Sequence, residues 1–290
     1  MGALLISLSL FLHQGESIVV KHYGKKYGKG GMFFNAIICF CALIYFIVTE
    51  LFTKTDSFYF PAKLCMFGLI SGIFYAIGFY AAYAALRLGS YGMTRLLSSF
   101  GTIIPIAYGI LFLKESSTVF TYISVAMILF SLFLMNYQKP SDQDATKISF
   151  KWVLCVTCSV LANAGIAIVA KTQQMEYGTV CNNEFLILSY LIATASLIFF
   201  GFLYERKELQ GVLKTGLLYG SLAGILSGIN NLCGILTYLY VPISVVSPVK
   251  TALSLVLSFL ISVLLYKEKF TKRQLLSVVI GIVAVILINL

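Results

Sequence analysis

The sequence predicts an all-α integral membrane protein whose ten transmembrane helices form two inverted five-helix repeats. The first observation is composition, because 59% of the 290 residues are hydrophobic and only 11% are charged, which excludes an ordinary soluble domain. The second is a series of apolar stretches of about 20 residues, the length that crosses a bilayer as a helix. The third is an internal repeat at about half the chain length. An odd number of spans in each copy places the second copy upside down in the membrane, an arrangement typical of transporters.

The repeat is visible as identical residues separated by 150 to 153 positions. The pairs include Gly15 and Gly165, Lys21 and Lys171, Gly68 and Gly220, Gly72 and Gly224, Lys114 and Lys267, and Asn136 and Asn289. An offset that drifts by only three residues indicates a duplication with small insertions. We therefore predict a first repeat over 1–137, a polar linker over 138–149 and a second repeat over 150–290.

The ten predicted spans account for nearly the whole chain, so no separate soluble domain fits. They run over 3–21, 31–52, 62–87, 91–113, 118–137, 150–171, 182–204, 212–240, 243–266 and 271–290. The first span lacks the basic region and the small-residue cleavage site of a signal peptide, and its copy in the second half makes it part of the fold. In span eight, Gly216, Gly220, Gly224 and Gly228 recur at every fourth position, which predicts close packing against another helix.

The formal net charge of +10 is distributed unevenly between the two sides of the membrane. With Arg95 and Lys250 set aside and the residues at the span ends counted with the adjoining loops, the odd-numbered loops carry 15 Lys and Arg residues and the even-numbered loops carry four. This asymmetry is typical of the positive-inside rule and not of a nucleic-acid surface. We therefore expect the lipid bilayer and a small-molecule substrate as partners, and no nucleic acid. The same asymmetry predicts that both chain termini lie outside the cytoplasm.

The motifs of intramembrane enzymes and cofactor proteins are absent from the sequence. It contains no H-E-x-x-H, no G-x-S-x-G, only two histidines and no aspartate in any span. Cys155 and Cys158 form a C-x-x-C inside an apolar helix without a second pair or a nearby histidine, which favours a structural role over metal or redox chemistry. We expect no enzymatic activity, no cofactor and no metal, with an intramembrane enzyme as a remote alternative.

Polar side chains inside the spans fall into stripes at helical spacing, which predicts a central cavity. Spans 1, 3, 4, 6, 8 and 9 are expected to enclose it. Spans 5 and 10 are nearly all apolar and are expected to form an outer wall or the face of a homodimer. The candidate substrate-binding residues are Lys250, Asn163, Asn230, Asn231, Arg95, Tyr75 and Tyr238, and the candidates for proton coupling are His13 and Glu16.

Lys250 is the leading candidate for binding an anionic group or for gating. It lies eight residues past Pro242, roughly 12 Å into the membrane at helical rise, which is deep for snorkelling. Arg95 lies only one turn from its helix end, where snorkelling competes with a binding role. Tyr75, at helical spacing from other aromatic residues of span three, fits either aromatic packing or a ligand cage.

His13 lies about ten residues into span one, near the bilayer midplane. A histidine there is able to exchange a proton near neutral pH, and the alternative is a neutral ring that hydrogen-bonds a neighbouring helix. Glu16 follows one turn later on the same face. Its candidate partners are His13, Lys21 and a substrate amine.

Two five-helix copies, each with a Lys-Glu pair between its last two spans, resemble the drug/metabolite transporter superfamily and, more narrowly, its EamA-like branch. The pairs are Lys114-Glu115 and Lys267-Glu268, and the resemblance covers essentially the whole chain. It implies a secondary transporter of the bacterial cytoplasmic membrane that moves a small polar or amphipathic metabolite by alternating access, with proton coupling as one mode. The alternative is a flippase for a lipid or a lipid-linked sugar, because some relatives do that work.

The last helix also resembles that of the small multidrug resistance proteins. Those proteins hold an essential glutamate in their first helix, eight residues before a lysine, and the matching lysines here are Lys21 and Lys171. The equivalent positions here are His13 and Asn163, so the carboxylate exchange of those relatives does not carry over directly. Characterised EamA-like members place both termini in the cytoplasm, opposite to what the loop charges here indicate. The membrane orientation therefore stays open between the two.

Overall fold

A computed structural model describes residues 2–53, 59–88, 94, 98, 101, 103–114, 119–136, 150–178 and 180–266, together with positions 273, 276, 279–280, 283–284 and 287. The helices within these ranges are α1 (Gly2–Lys26), α2 (Gly31–Thr53), α3 (Ala62–Leu88), α4 (Ile103–Leu111), α5 (Val119–Asn136), α6 (Phe150–Tyr177), α7 (Asn182–Tyr204), α8 (Leu209–Thr237) and α9 (Ile243–Tyr266). A short 3-10 helix, Arg206–Glu208, precedes α8. No strand is present in the ranges given.

The described chain is all-helical, and the protein is a multi-pass membrane protein. Six helical segments of the described chain are long and apolar enough to cross a bilayer, and they run over 2–24, 31–52, 62–88, 150–177, 182–204 and 206–237. The total of ten spans stays a prediction, because most of span ten and part of span four lie outside the described residues.

Several helices extend beyond the predicted spans, because polar residues past the hydrocarbon region continue the helix. Helix α1 ends at Lys26 and α6 ends at Tyr177, five and six residues later than predicted. Helix α8 starts earlier and ends at Thr237, so Tyr238 caps it from the following turn instead of lying inside the span.

The helix pairs reproduce the internal repeat. Helix α8 packs along α1 and α2, while α3 packs along α6 and α7, and α2 packs against α7. A shift of about 150 residues converts α1, α2 and α3 into α6, α7 and α8, so the first two sets of contacts are equivalent. Each half therefore contributes its third helix to the other half, and the two halves form one interlocked bundle.

Glycine makes the closest of these contacts possible, as the spacing in span eight predicts. A Cβ on Gly224 would lie 2.5 Å from the carbonyl oxygen of Ile38, and a Cβ on Gly72 would lie 2.7 Å from the carbonyl oxygen of Ser189. Ile38 and Ser189 are themselves related by the repeat. Only a residue without a side chain lets the two backbones approach so closely.

Candidate functional site

A cavity of about 410 Å³ lies at the centre of the bundle. Its wall comes from α1, α3, α6, α8 and α9, from the described positions of span four and from Tyr238, as the polar stripes predict. Helix α2 adds Asn35, which the stripes did not indicate. The volume falls in the range of pockets that hold small ligands.

Most candidate residues lie together on this wall. The cavity is lined by Lys250, Asn163, Asn230, Asn231, Tyr75, Tyr238, His13 and Glu16. Arg95 lies outside the described residues. The structure thus brings together residues from both repeats, while the role of each stays a prediction.

A hydrogen-bond network around Asn231 joins three helices beside the cavity. The hydroxyl of Tyr75 on α3 donates to Oδ1 of Asn231 over 2.6 Å, and Nδ2 of Asn231 donates to the hydroxyl of Tyr190 over 2.8 Å. The Tyr190 hydroxyl also lies 3.3 Å from Oγ of Ser227. Because buried hydrogen bonds hold polar groups in fixed orientations, this network gives α3, α7 and α8 a defined register.

Two further amides of the wall, those of Asn230 and Asn163, are held by neighbouring hydroxyl and carbonyl groups. Oγ of Ser9 on α1 donates to Oδ1 of Asn230 on α8 over 2.7 Å. Nδ2 of Asn163 donates to the carbonyl oxygen of Ser159, one turn earlier on α6, over 2.7 Å. Both asparagines are therefore positioned before any ligand enters.

Lys250 is half-buried on α9 and faces the cavity. Its Nζ lies 3.6 Å from where a Cβ on Gly234 would sit, so the ammonium packs beside the bare backbone of α8. Within the described part of the chain, no carboxylate lies within ion-pair distance of this ammonium. A cation in a low-dielectric wall without a counter-ion is costly, and a bound anion offsets that cost.

His13 and Glu16 form a pair on α1. Nδ1 of His13 lies 3.8 Å from Oε2 of Glu16, and the side chains are 40% and 10% exposed, respectively. The distance is too long for a hydrogen bond. The contact becomes an ion pair only when the imidazole is protonated, so its strength depends on the protonation of His13.

The wall that carries His13 lies directly beside the wall that carries Lys250. Gln14 on α1 links the two walls. Its Nε2 donates to Oγ of Ser254 on α9 over 2.8 Å and to the Ser254 carbonyl oxygen over 3.0 Å. One and two turns earlier on α1, Leu10 and Ile6 pack against Val249 of α9. Helices α1 and α9 therefore run side by side in the same direction, and the cavity has a cation on one and an acid–base pair on the other.

At the end of α8, Tyr238 is held by α6. Nζ of Lys171 donates to the Tyr238 carbonyl oxygen over 3.4 Å and lies 6.0 Å from the centroid of its ring. This contact joins the first helix of the second repeat to the turn before α9.

Three polar residues near the site were missed in the sequence, namely Asn35, Tyr190 and Gln14. Asn35 belongs to α2 and Tyr190 to α7. Each is one of several polar residues of a mostly apolar helix, and the sequence does not specify which neighbour the side chain faces. Gln14 adjoins the predicted pair and is buried between α1 and α9.

The comparisons with known proteins agree with this architecture. The sequence model of the EamA-like transporter family matches residues 1–137 and 150–290. A solved crystal structure aligns over 99% of this chain and 96% of its own, with a TM-score of 0.72 and 11% sequence identity. At this identity the likeness concerns the fold alone. No curated protein sequence matches the chain.

Proposed function

Because the chain belongs to the EamA-like transporter family, a branch of the drug/metabolite transporter superfamily, we propose that it is a secondary active transporter of a small polar or amphipathic metabolite. It works by alternating access in the cytoplasmic membrane of a bacterium. Its two interlocked repeats rock about the central cavity and expose it to each side in turn. The cavity, with a volume of about 410 Å³, suits a small solute.

One observation carries the substrate assignment: the ammonium of Lys250 lies on the cavity wall without a carboxylate partner among the described residues. Lys250 binds a carboxylate or another anionic group of the substrate, and Arg95 is a second candidate cation. Asn163, Asn230, Asn231, Tyr75 and Tyr238 supply hydrogen bonds and an aromatic surface. These groups already line the cavity in fixed positions, so little ordering is required when the substrate binds.

Transport is coupled to protons through His13 and Glu16. Protonation of His13 strengthens its attraction to Glu16, and loss of the proton releases the carboxylate to the cavity. The pair lies on the wall next to Lys250, so its charge state changes the electrostatic potential that an anionic substrate meets.

Binding is tested by thermal stabilisation of the purified protein against organic acids, amino acids, amines, nucleosides and sugar phosphates. A ligand that binds only the folded state raises the unfolding temperature by mass action. Lys250→Ala is compared with the matched variant Lys63→Ala, which removes a lysine that pairs with Glu176 away from the cavity. We expect an anionic ligand to stabilise the wild type and Lys63→Ala but not Lys250→Ala.

Equal stabilisation of all three proteins would contradict the role of Lys250. Stabilisation by lipid-linked sugars alone, with no response to any soluble compound, would contradict transport of a soluble metabolite and favour the flippase alternative. Uptake into proteoliposomes then identifies which binding compound is transported.

The protein forms a homodimer through spans 5 and 10. The described part of span 5, α5, exposes large apolar side chains such as Phe130 and Phe133 on the outside of the bundle. Cysteines introduced at these two positions should cross-link between two copies in native membranes. Only monomers after oxidation would contradict this interface.

A further inference from the structure

A cluster of exposed cations lies where the end of α1 meets the start of α8, and we call it the basic seam. Its described members, all exposed, are Lys26, Lys29, Arg206, Lys207 and Lys214. None of them belongs to the cavity.

Aromatic contacts hold the two helices of the basic seam together. The ring of Tyr219 on α8 lies 5.6 Å from His22 and 6.3 Å from Tyr27 of α1, measured between centroids. A Cβ on Gly216 would lie 3.1 Å from the Tyr23 hydroxyl, so the helices are in close contact here. They run in opposite directions, which brings Lys26 and Lys214 to about the same level.

The acids nearby do not neutralise these cations. Oε2 of Glu205 accepts a 2.7 Å hydrogen bond from the backbone N–H of Met32 in the first turn of α2. Glu208 is the other acid of this segment, so five cations face two carboxylates. In the ranges that the structure describes, none of the five forms an ion pair.

The repeat provides a natural comparison at the opposite end of the bundle. There the end of α6 meets the start of α3, and Nζ of Lys63 lies 2.5 Å from Oε1 of Glu176. The equivalent seam thus neutralises its lysine internally. Of these two seams, as far as the described residues go, only the basic seam has more cations than acids, and this excess favours an anion from outside the chain.

The apolar surroundings identify the source of that anion. Leu213, Leu217 and Leu218 lie beside Lys214 on α8, and their side chains are exposed on the outer surface of a membrane span. Tyr27 and Tyr219 place amphipathic rings at the same level, as is typical of the membrane interface. A molecule that satisfies both parts of this surface has a phosphate head and a hydrocarbon tail.

We propose that the basic seam binds the headgroup of an anionic phospholipid. The lysine ammoniums contact the headgroup phosphate, and the acyl chains lie along the exposed leucines of α8. The site is independent of the transported substrate and of the cavity.

The test uses the full chain purified in detergent and measures its unfolding temperature during titration with phosphatidylglycerol. Phosphatidylcholine and inorganic phosphate are the comparison ligands. The triple variant Lys26→Gln, Lys29→Gln, Lys214→Gln is compared with Lys63→Gln, which removes the paired lysine of the opposite seam. Since the changed side chains are exposed, the unfolding temperature without lipid should match that of the wild type.

We expect phosphatidylglycerol to stabilise the wild type and Lys63→Gln, and phosphatidylcholine and phosphate to have little effect. The triple variant should require roughly a hundredfold more phosphatidylglycerol, the contribution expected of three lysines at a membrane surface. An equal response of the triple variant, or an equal effect of phosphatidylcholine, would overturn the proposal. If inorganic phosphate stabilised the wild type as much as phosphatidylglycerol does, the proposal would also be overturned, because the basic seam would then bind a soluble anion and not a lipid. If the triple variant is unstable, the wild type is titrated with phosphatidylglycerol at low and high ionic strength instead. The proposal requires that the stabilisation weakens at high ionic strength, because salt screens the attraction between the lysines and the headgroup.

Discussion

The hydroxyl of Tyr75 donates a 2.6 Å hydrogen bond to Oδ1 of Asn231. The two residues belong to different repeats and lie 156 positions apart. Asn231 passes the connection on to Tyr190, so one amide ties α3 to α7 and α8 at the edge of the cavity. Stability and the shape of the candidate site therefore depend on the same contact.

Tyr75→Phe should lower the free energy of unfolding by about 0.5 to 2 kcal/mol, because it removes the hydroxyl that Oδ1 of Asn231 accepts from. Reversible unfolding in mixed detergent measures the change. Tyr80→Phe, five residues further along α3, is the matched control, since no hydrogen bond of Tyr80 is present in the described contacts. Equal stability of both variants would show that the contact contributes nothing.

Gly224→Ala should destabilise the protein by about 1 to 3 kcal/mol, because the new methyl group meets the backbone of α2 and forces the helices apart. Gly211→Ala is the control on the same helix, where nothing lies within 4 Å of the added Cβ. That change should be neutral or stabilise by up to about 1 kcal/mol through helix propensity. The opposite order in thermal unfolding would refute the close α2–α8 contact.

Lys250→Met should raise the KM for an anionic substrate by roughly tenfold to a hundredfold, since a charged hydrogen bond contributes about 1.5 to 3 kcal/mol. Methionine keeps the length of the side chain without its charge. Uptake into proteoliposomes measures KM, and Lys63→Met serves as the control lysine at the exposed end of α3. An unchanged KM with a lowered maximal rate would make Lys250 a gating residue.

The double variant His13→Ala, Glu16→Gln should transport without dependence on an imposed pH gradient. Its two changes remove the groups that exchange the coupled proton while keeping the cavity open. Substrate uptake with and without the gradient provides the readout, and Glu176→Gln is the matched acidic control outside the cavity. Full transport with the wild-type pH dependence would exclude this pair from coupling.

The sequence alone determined the class of the fold and, except for α2 with Asn35, the described helices that line the cavity. Hydrocarbon solvates no polar group, so the helix stripes that carry Lys250, Asn163 and Asn231 had to face inward, whatever the partners were. The glycines at every fourth position of span eight likewise predicted close packing against another helix, because a stripe without side chains lets two helix backbones approach each other. These conclusions depend only on the spacing of polar and small residues along one helix, which can be read directly from the sequence.

Tertiary structure decided which of these faces meet. The spacing of Asn231 does not reveal that Tyr75 and Tyr190 are its partners, because each bond depends on the rotation and height of helices far apart in the chain. Packing of α1 against α9 set His13 beside the wall of Lys250, and packing of α1 against α8 gathered the cations of the basic seam. In both cases, the positions of charges in the sequence acquired chemical meaning only when two helices came into contact.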